Sequence, residues 1–214
     1  MTRLVISRHG FSEYNRTRQY TGQKDVSLTE LGLMQAKCTA EYIAGTYKID
    51  AIYSSDLIRA MSTALPLSEA LGIPVIKEPL IKEIDGGLWE DLYMNEVEER
   101  FPEDYAVYTS TIGLARCTGG ESLEELQNRA LKGMIKIAEA NDGKTVYVST
   151  HGGVLLALTA YWMGLPLAKM HETPPATNSS VTEVTYDKGK FTIIKYSYDD
   201  HLGDLKVEND MNLK

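Results

Sequence analysis

The chain alternates between short apolar runs and longer stretches in which apolar residues recur every three or four positions. Leu4-Val5-Ile6 is the first run, and an apolar triplet bounded by polar residues predicts a buried strand. It ends in Ser7-Arg8-His9-Gly10, which delivers a cation and an imidazole to a turn. Ser27-Leu28-Thr29-Glu30 has the form of a capping box, and Leu28, Leu31, Met34, Cys38 and Tyr42 follow at helical spacing up to Gly45. Ala51-Ile52-Tyr53 predicts a second strand. Ser54-Ser55-Asp56 then reads as the cap of a helix that carries Arg59 in its first turn, bends at Pro66 and stops at Gly72. A third strand is expected near Val75-Ile76, ahead of a loop holding Glu83, and residues 94–116 read as short helices broken by Pro102. A second capping box at Ser122-Leu123-Glu124-Glu125 opens a helix with Leu123, Leu126, Ala130, Met134 and Ile137 on its core face. Thr145-Val146-Tyr147-Val148 is a strand ending in Ser149-Thr150-His151-Gly152-Gly153, with a helix behind it. Two last strands, about Val181–Tyr186 and Phe191–Tyr196, flank an Asp187-Lys188-Gly189 turn as a hairpin.

Strand alternating with helix predicts an α/β fold. The expected architecture is a three-layer sandwich with a mainly parallel central sheet, an antiparallel edge, helices on both faces and a small helical cap at about 94–116. No repeat, low-complexity tract or linker interrupts the 214 residues, so one domain over 1–214 is expected. With 22 basic against 30 acidic side chains the net charge is −8, which excludes nucleic acid and anionic membranes as partners. The most apolar stretch, 152–168, is too short and too interrupted to span a bilayer. Strand pattern from the first residues leaves no room for a signal peptide, so a cytoplasmic location is expected, with Cys38 and Cys117 as reduced structural thiols. Asn178-Ser179-Ser180 fits a glycosylation sequon, a reading that is empty without secretion. His171 and His201 are read as surface or gating residues, and Phe101, Tyr105 and Tyr108 as packing under the cap. Homo-oligomerisation is left open.

In an open α/β sheet, ligands bind beyond the carboxyl ends of the strands. Arg8 and His9 follow the first strand, Arg59 opens the helix after the second, and His151 follows the strand at 145–148, beside Gly152. Two histidines and two arginines thus converge on one edge, next to the backbone N–H groups of a glycine-rich helix start. Such a set suits a dianionic phosphoryl group. An imidazole is neutral near pH 7 and can carry a phosphoryl group covalently, while fixed guanidinium groups match the charge that spreads over the equatorial oxygens. A carboxylic acid can protonate the leaving alkoxide and then activate water, and Glu83 stands at the same edge, with Asp85, Glu90 and Asp91 as nearby competitors. No His/Asp/Glu cluster has metal-ligand spacing.

Several blocks occur in order along nearly the whole chain: Ser7-Arg8-His9-Gly10 with Ser12 and Asn15, Thr21-Gly22, Ser54-Ser55-Asp56-Leu57 with Arg59-Ala60, Glu83-Ile84 ahead of Trp89-Glu90, Gly119-Gly120-Glu121-Ser122, and Ser149-Thr150-His151-Gly152-Gly153. Together they resemble the histidine phosphatase superfamily, in the branch with the cofactor-dependent phosphoglycerate mutases and the broad-specificity and α-ribazole phosphatases. The resemblance implies that His9 is the phosphorylated nucleophile, that Arg8, Arg59 and His151 hold the phosphate, that Asn15 lends a hydrogen bond and that Glu83 is the proton donor. Thr21, Gly22 and Gly152 complete the expected substrate-binding set, with neither metal nor cofactor. Phe11, Tyr14 and Asp91 depart from the family pattern, where Glu or Gln, Trp and Gly respectively are usual.

Three functions follow from that resemblance. The favoured one is a phosphomonoester hydrolase acting on a small phosphorylated metabolite. A phosphoglycerate mutase is the alternative, against which stands an acidic cap: from Asp85 to Ala115 the only base is Arg100, facing Asp85, Glu90, Asp91, Glu96, Glu98, Glu99, Glu103 and Asp104. A phospho-ligand binding or regulatory protein is the third, which would have lost His9, Arg59, His151 or the acid; none is lost.

Overall fold

A computed structural model describes residues 1–207. One six-stranded sheet, in the order β3-β2-β4-β1-β5-β6, is built from Thr2–Arg8 (β1), Ala51–Ser54 (β2), Val75–Lys77 (β3), Thr145–Thr150 (β4), Val181–Asp187 (β5) and Lys190–Tyr198 (β6). β1 pairs parallel with β4, and β2 pairs parallel with both β4 and β3; β5 and β6 add an antiparallel edge. The helices are Glu13–Thr17 (α1), Glu30–Thr46 (α2), Ile58–Leu71 (α3), Met94–Arg100 (α4), Pro102–Ser110 (α5), Leu123–Glu139 (α6) and Gly152–Trp162 (α7).

Strand alternation sorts the core into two layers. Leu4, Ile6, Val146 and Val148 face α6 and α7 with Leu126, Met134, Leu155 and Leu158. Val5 and Tyr147 face the other way, onto Ala40 and Ile43 of α2 and Ala64 and Leu67 of α3. The result is the expected three-layer α/β sandwich, with α4 and α5 standing over one end. The hairpin turn has Lys188 at φ 47° and Gly189 at φ 84°, the left-handed pair a two-residue turn between twisted strands requires.

Two local expectations are corrected. The cap of α2 is Thr29, whose hydroxyl accepts from Gly32 N, rather than Ser27. Its buried face is Gly32, Gln35, Ala36, Thr39, Ala40 and Ile43, one position away from the expected stripe, and Met34 is 51% exposed. Small and polar residues form that face because α2 packs closely on α3 and on the turn after β1. A Cβ on Gly10 or Gly32 would run into the other's surroundings, Gly32 O and Phe11 O respectively. Gly10 therefore serves close approach rather than an unusual turn, since its φ is not positive. The second correction concerns α3. Its first N–H groups are met by Ser55 Oγ (Leu57 N, 3.3 Å) and by Asp25 Oδ1 from a distant loop (Ile58 N, 2.6 Å), and the helix runs unbroken through Pro66.

Candidate active site

β2, β4 and β1 lie side by side and end at the same edge of the sheet. The ladder carries on past their ends, with His9 N bonded to Thr150 O (2.9 Å) and Ser55 N to Ser149 O (3.0 Å). Arg8, His9 and His151 are thereby fixed to within a residue of hydrogen-bonded backbone, and all three are buried. Arg59, fully buried, reaches the same point from the first turn of α3.

Hydrogen bonds set the chemistry of His9. Its Nδ1 lies 2.7 Å from Gly10 O, and a carbonyl only accepts, so Nδ1 carries the proton and Nε2 presents its lone pair. Arg59 Nε lies 3.3 Å from that Nε2, while its Nη1 and Nη2 donate to Lys24 O and Gly22 O, each at 2.8 Å. Arg8 Nη1 donates to Ala176 O (2.8 Å), and its guanidinium packs against Gly152, where a Cβ would stand 3.2 Å from Nε. His151 stacks edge-on to His9 with ring centroids 5.3 Å apart; its Nε2 meets Ser55 Oγ at 2.8 Å and its buried Nδ1 has no hydrogen-bond partner.

Burial, reinforced by Arg59, holds both imidazoles well below their ordinary 6.5. Arg8 is lowered by burial and by Arg59, against the pull of Glu83, but only to about 10, so it remains a cation at neutral pH. The sign of the pH effect follows. An unfolded chain takes up protons on these imidazoles near pH 6.5, the folded one only at lower pH, so stability is lost as pH falls below about 6.5. Nitrogen-15 spectra of the histidine rings at about pH 6 should show His9 as the neutral Nδ1–H tautomer. A protonated ring there would contradict this electrostatic account.

Glu83 joins from the loop after β3. Its Oε1 accepts from Ile84 N and its Oε2 from Gly153 N, both at 3.0 Å, which orients the carboxyl across the mouth of the site. Its competitors are engaged elsewhere. Asp85 Oδ1 accepts from Gly87 N (2.9 Å), Glu90 Oε1 from Gln23 N (2.6 Å) and Gly86 N (3.1 Å), and Asp91 from Tyr14 OH (2.7 Å) and Lys24 Nζ (2.8 Å). Asp91 also sits at φ 71°, which accounts for the glycine expected at that position.

Arg8, His9, Arg59 and Glu83 line one cavity of about 610 Å³, together with Asn15, Thr21, Gly22 and Gly152, whereas His151 stands against the His9 ring outside that lining. Asn15 is also a structural residue: it closes the capping box of α1 by accepting from Ser12 N (3.1 Å). Gly22, at φ 51°, turns its carbonyl onto Arg59, and a side chain there would strike Glu90. Asn178 was not among the expected residues. It is buried in the cavity wall and donates to His9 O (3.0 Å) and Asn15 Oδ1 (3.2 Å). β5 runs antiparallel to β1, so its beginning, not its end, meets the site; only a sequon marked Asn178 in the sequence. His201, expected at the surface or as a gate, is instead half-buried, with Nε2 3.0 Å from Thr39 Oγ1 and its ring stacked on Tyr42 at 4.7 Å, while His171 is exposed.

The distal wall carries the cap. Tyr105, Tyr108, Tyr93, Met94 and Ile112 line it, with Tyr20 edge-on to Tyr108, and Phe11 and Tyr14 also in the cavity wall. The acidic residues of the cap do not line the cavity, and beyond the end formed by Arg8, His9 and Arg59, Arg18 is the only cation among the described residues that does. Repulsion by cap carboxylates at the cavity wall is therefore corrected to a wall with little charge of either sign.

The sequence profile of the histidine phosphatase superfamily (branch 1) matches residues 4–199. The chain belongs to that superfamily. It is 33% identical over 208 residues to phosphoserine phosphatase 1 of Hydrogenobacter thermophilus, covering 97% of this chain and 98% of that protein. It is 35% identical over 204 residues to a metal-independent phosphoserine phosphatase of Arabidopsis thaliana, covering 94% and 84%. Among solved structures, Bacillus stearothermophilus YhfR superposes with a TM-score of 0.90 at 29% identity, covering 94% of this chain and all of that one. This histidine phosphatase is accordingly a phosphomonoester hydrolase. Among its described residues no helix is long and apolar enough to cross a membrane.

Proposed function

We propose that this histidine phosphatase hydrolyses a small phosphomonoester in two displacements at His9 Nε2, in the cytoplasm and without a metal. The observation that carries the reading is the bond from His9 Nδ1–H to Gly10 O, which leaves a neutral, buried Nε2 between guanidinium groups. The lone pair of Nε2 attacks phosphorus as the ester P–O bond breaks, and Arg8 and Arg59 balance charge on the equatorial oxygens. His151 adds a further donor to the phosphoryl group, and Asn15, Thr21 and the N–H groups at Gly22 and Gly152 complete its cradle. The Glu83 carboxyl gives its proton to the leaving oxygen. In the second displacement Glu83 takes a proton from water as the new O–P bond forms and the N–P bond breaks, restoring the starting enzyme.

Glycerate bisphosphate separates hydrolase from mutase. Among the described residues only Arg18 lines the cavity beyond the phosphate end to meet a second phosphate, so inorganic phosphate should be the product and migration between the two hydroxyls should be undetectable. Dialysis against EDTA should leave the rate unchanged. Monophosphate isomers formed without phosphate release would establish the mutase instead, and activity restored only by Mg²⁺ or Zn²⁺ would end the metal-free reading. The wide, largely uncharged chamber supports turnover of substrates with varied organic parts.

A further inference from the structure

The block Gly119-Gly120-Glu121-Ser122 does not line the cavity, yet it makes some of the most directed contacts near it. Arg129, on α6, donates to three carbonyls of the segment leading to the acid: Leu80 O at 2.9 Å, Lys82 O at 3.1 Å and Glu83 O at 3.1 Å. Its other edge forms a paired salt bridge with Glu121, Nε to Oε1 at 2.8 Å and Nη2 to Oε2 at 2.7 Å. Glu121 Oε2 in turn accepts from Asp85 N (2.9 Å), and Glu121 N donates to Asp85 O (2.9 Å). A Cβ on Gly120 would strike Asp85 O, so that position admits glycine alone at this approach. Gln23 Nε2 adds a second donor to Glu83 O at 3.0 Å.

We propose that Arg129 and Glu121 are positioning residues that hold the Glu83 carboxyl in line for proton transfer; the inference rests on Glu83 being the acid. Residues on both sides of Glu83 are fixed by one bidentate pair: its preceding carbonyls by Arg129, the following N–H by Glu121. The side chains are 19% and 21% exposed, so the pair is shielded and its geometry is firmer than that of a surface ion pair. Burial pushes the Glu121 carboxyl up, but the hydrogen bonds from Arg129 and Asp85 N outweigh it and hold the group below its ordinary range. Neither residue reaches the cavity, so any effect on turnover passes through Glu83. A displacement of about 1 Å at a reacting group costs on the order of a hundredfold in rate, which makes a loop tied at both ends a determinant of kcat.

The test uses the full chain with Arg129→Lys and Glu121→Gln, an alkyl phosphate (β-glycerophosphate) and p-nitrophenyl phosphate. Because p-nitrophenolate leaves without a proton, misplacing the acid should lower kcat/KM, which reports the first displacement, roughly tenfold or more for β-glycerophosphate and less than about threefold for p-nitrophenyl phosphate. KM and the vanadate inhibition constant should stay near wild type. Combined with Glu83→Gln, either change should add no further loss on β-glycerophosphate, since both act through one group. Equal losses on the two substrates, additive losses in the double variant, or no loss at all would overturn the clamp. Should Arg129→Lys fail to fold, Glu121→Gln keeps the acceptor for Asp85 N and carries the same test. Leaving-group dependence in Glu83→Gln but not in the clamp variants refutes the clamp alone. Its absence in Glu83→Gln, with wild type active on both substrates, refutes the acid assignment first and the clamp with it.

Discussion

Replacing His9 by alanine should lower turnover of any phosphomonoester by on the order of 10⁴-fold or more, the scale of losing a covalent nucleophile. Rapid quenching of the wild type with labelled substrate should trap a phosphoramidate, which acid hydrolyses and alkali spares. The variant should trap none. The fold should survive, because the His9 side chain makes two hydrogen bonds, with Gly10 O and Arg59 Nε, and leaving each buried partner unpaired costs about 1–3 kcal/mol. Circular dichroism checks this, and retained inhibition of the residual rate by vanadate would show that Arg8 and Arg59 still hold an oxyanion. Label remaining on the alanine variant would move the nucleophile elsewhere, with His151 the nearest candidate at 5.3 Å between ring centroids.

Glu83→Gln should slow hydrolysis of an alkyl phosphate by roughly a hundredfold or more while harming release of p-nitrophenolate much less. Glutamine keeps an acceptor for Ile84 N or Gly153 N and removes the transferable proton, so the orientation of the side chain is largely retained. With the activated substrate the first displacement stays fast and the second loses its base, so phosphoenzyme on His9 should accumulate. Asp85→Asn and Glu90→Gln serve as comparisons. Both carboxylates are tied to backbone N–H groups outside the cavity and should show no dependence on the leaving group. A similar, mild loss on both substrates for Glu83→Gln, with no phosphoenzyme build-up, would take Glu83 out of the mechanism.

Much of this architecture was legible because the signals are local. Apolar runs at 4–6, 51–53 and 145–148 marked strands whose ends place Arg8, His9 and His151, and a capping box at Ser122 marked the start of α6. Where the pattern misled, packing had replaced hydrophobicity as the determinant. The face of α2 is buried through Gly32, Gln35, Ala36 and Thr39, which carry no apolar periodicity to read. Asp25 caps α3 from 33 residues away, beyond the reach of any capping motif.

The sequence by itself determined the elements, the family and the residue types delivered to the strand ends, since periodicity and turn chemistry act over a few neighbouring residues. Only the tertiary structure decided which nitrogen of His9 carries the proton, which of four nearby carboxylates faces the cavity, and that Asn178, Glu121 and Arg129 support the site at all. Several of those outcomes depend on hydrogen bonds between groups far apart in the chain, such as Asp85 with Glu121 at 36 residues and Asn178 with His9 at 169. Strand order and the direction of β5 bring such groups together, and a local pattern encodes neither.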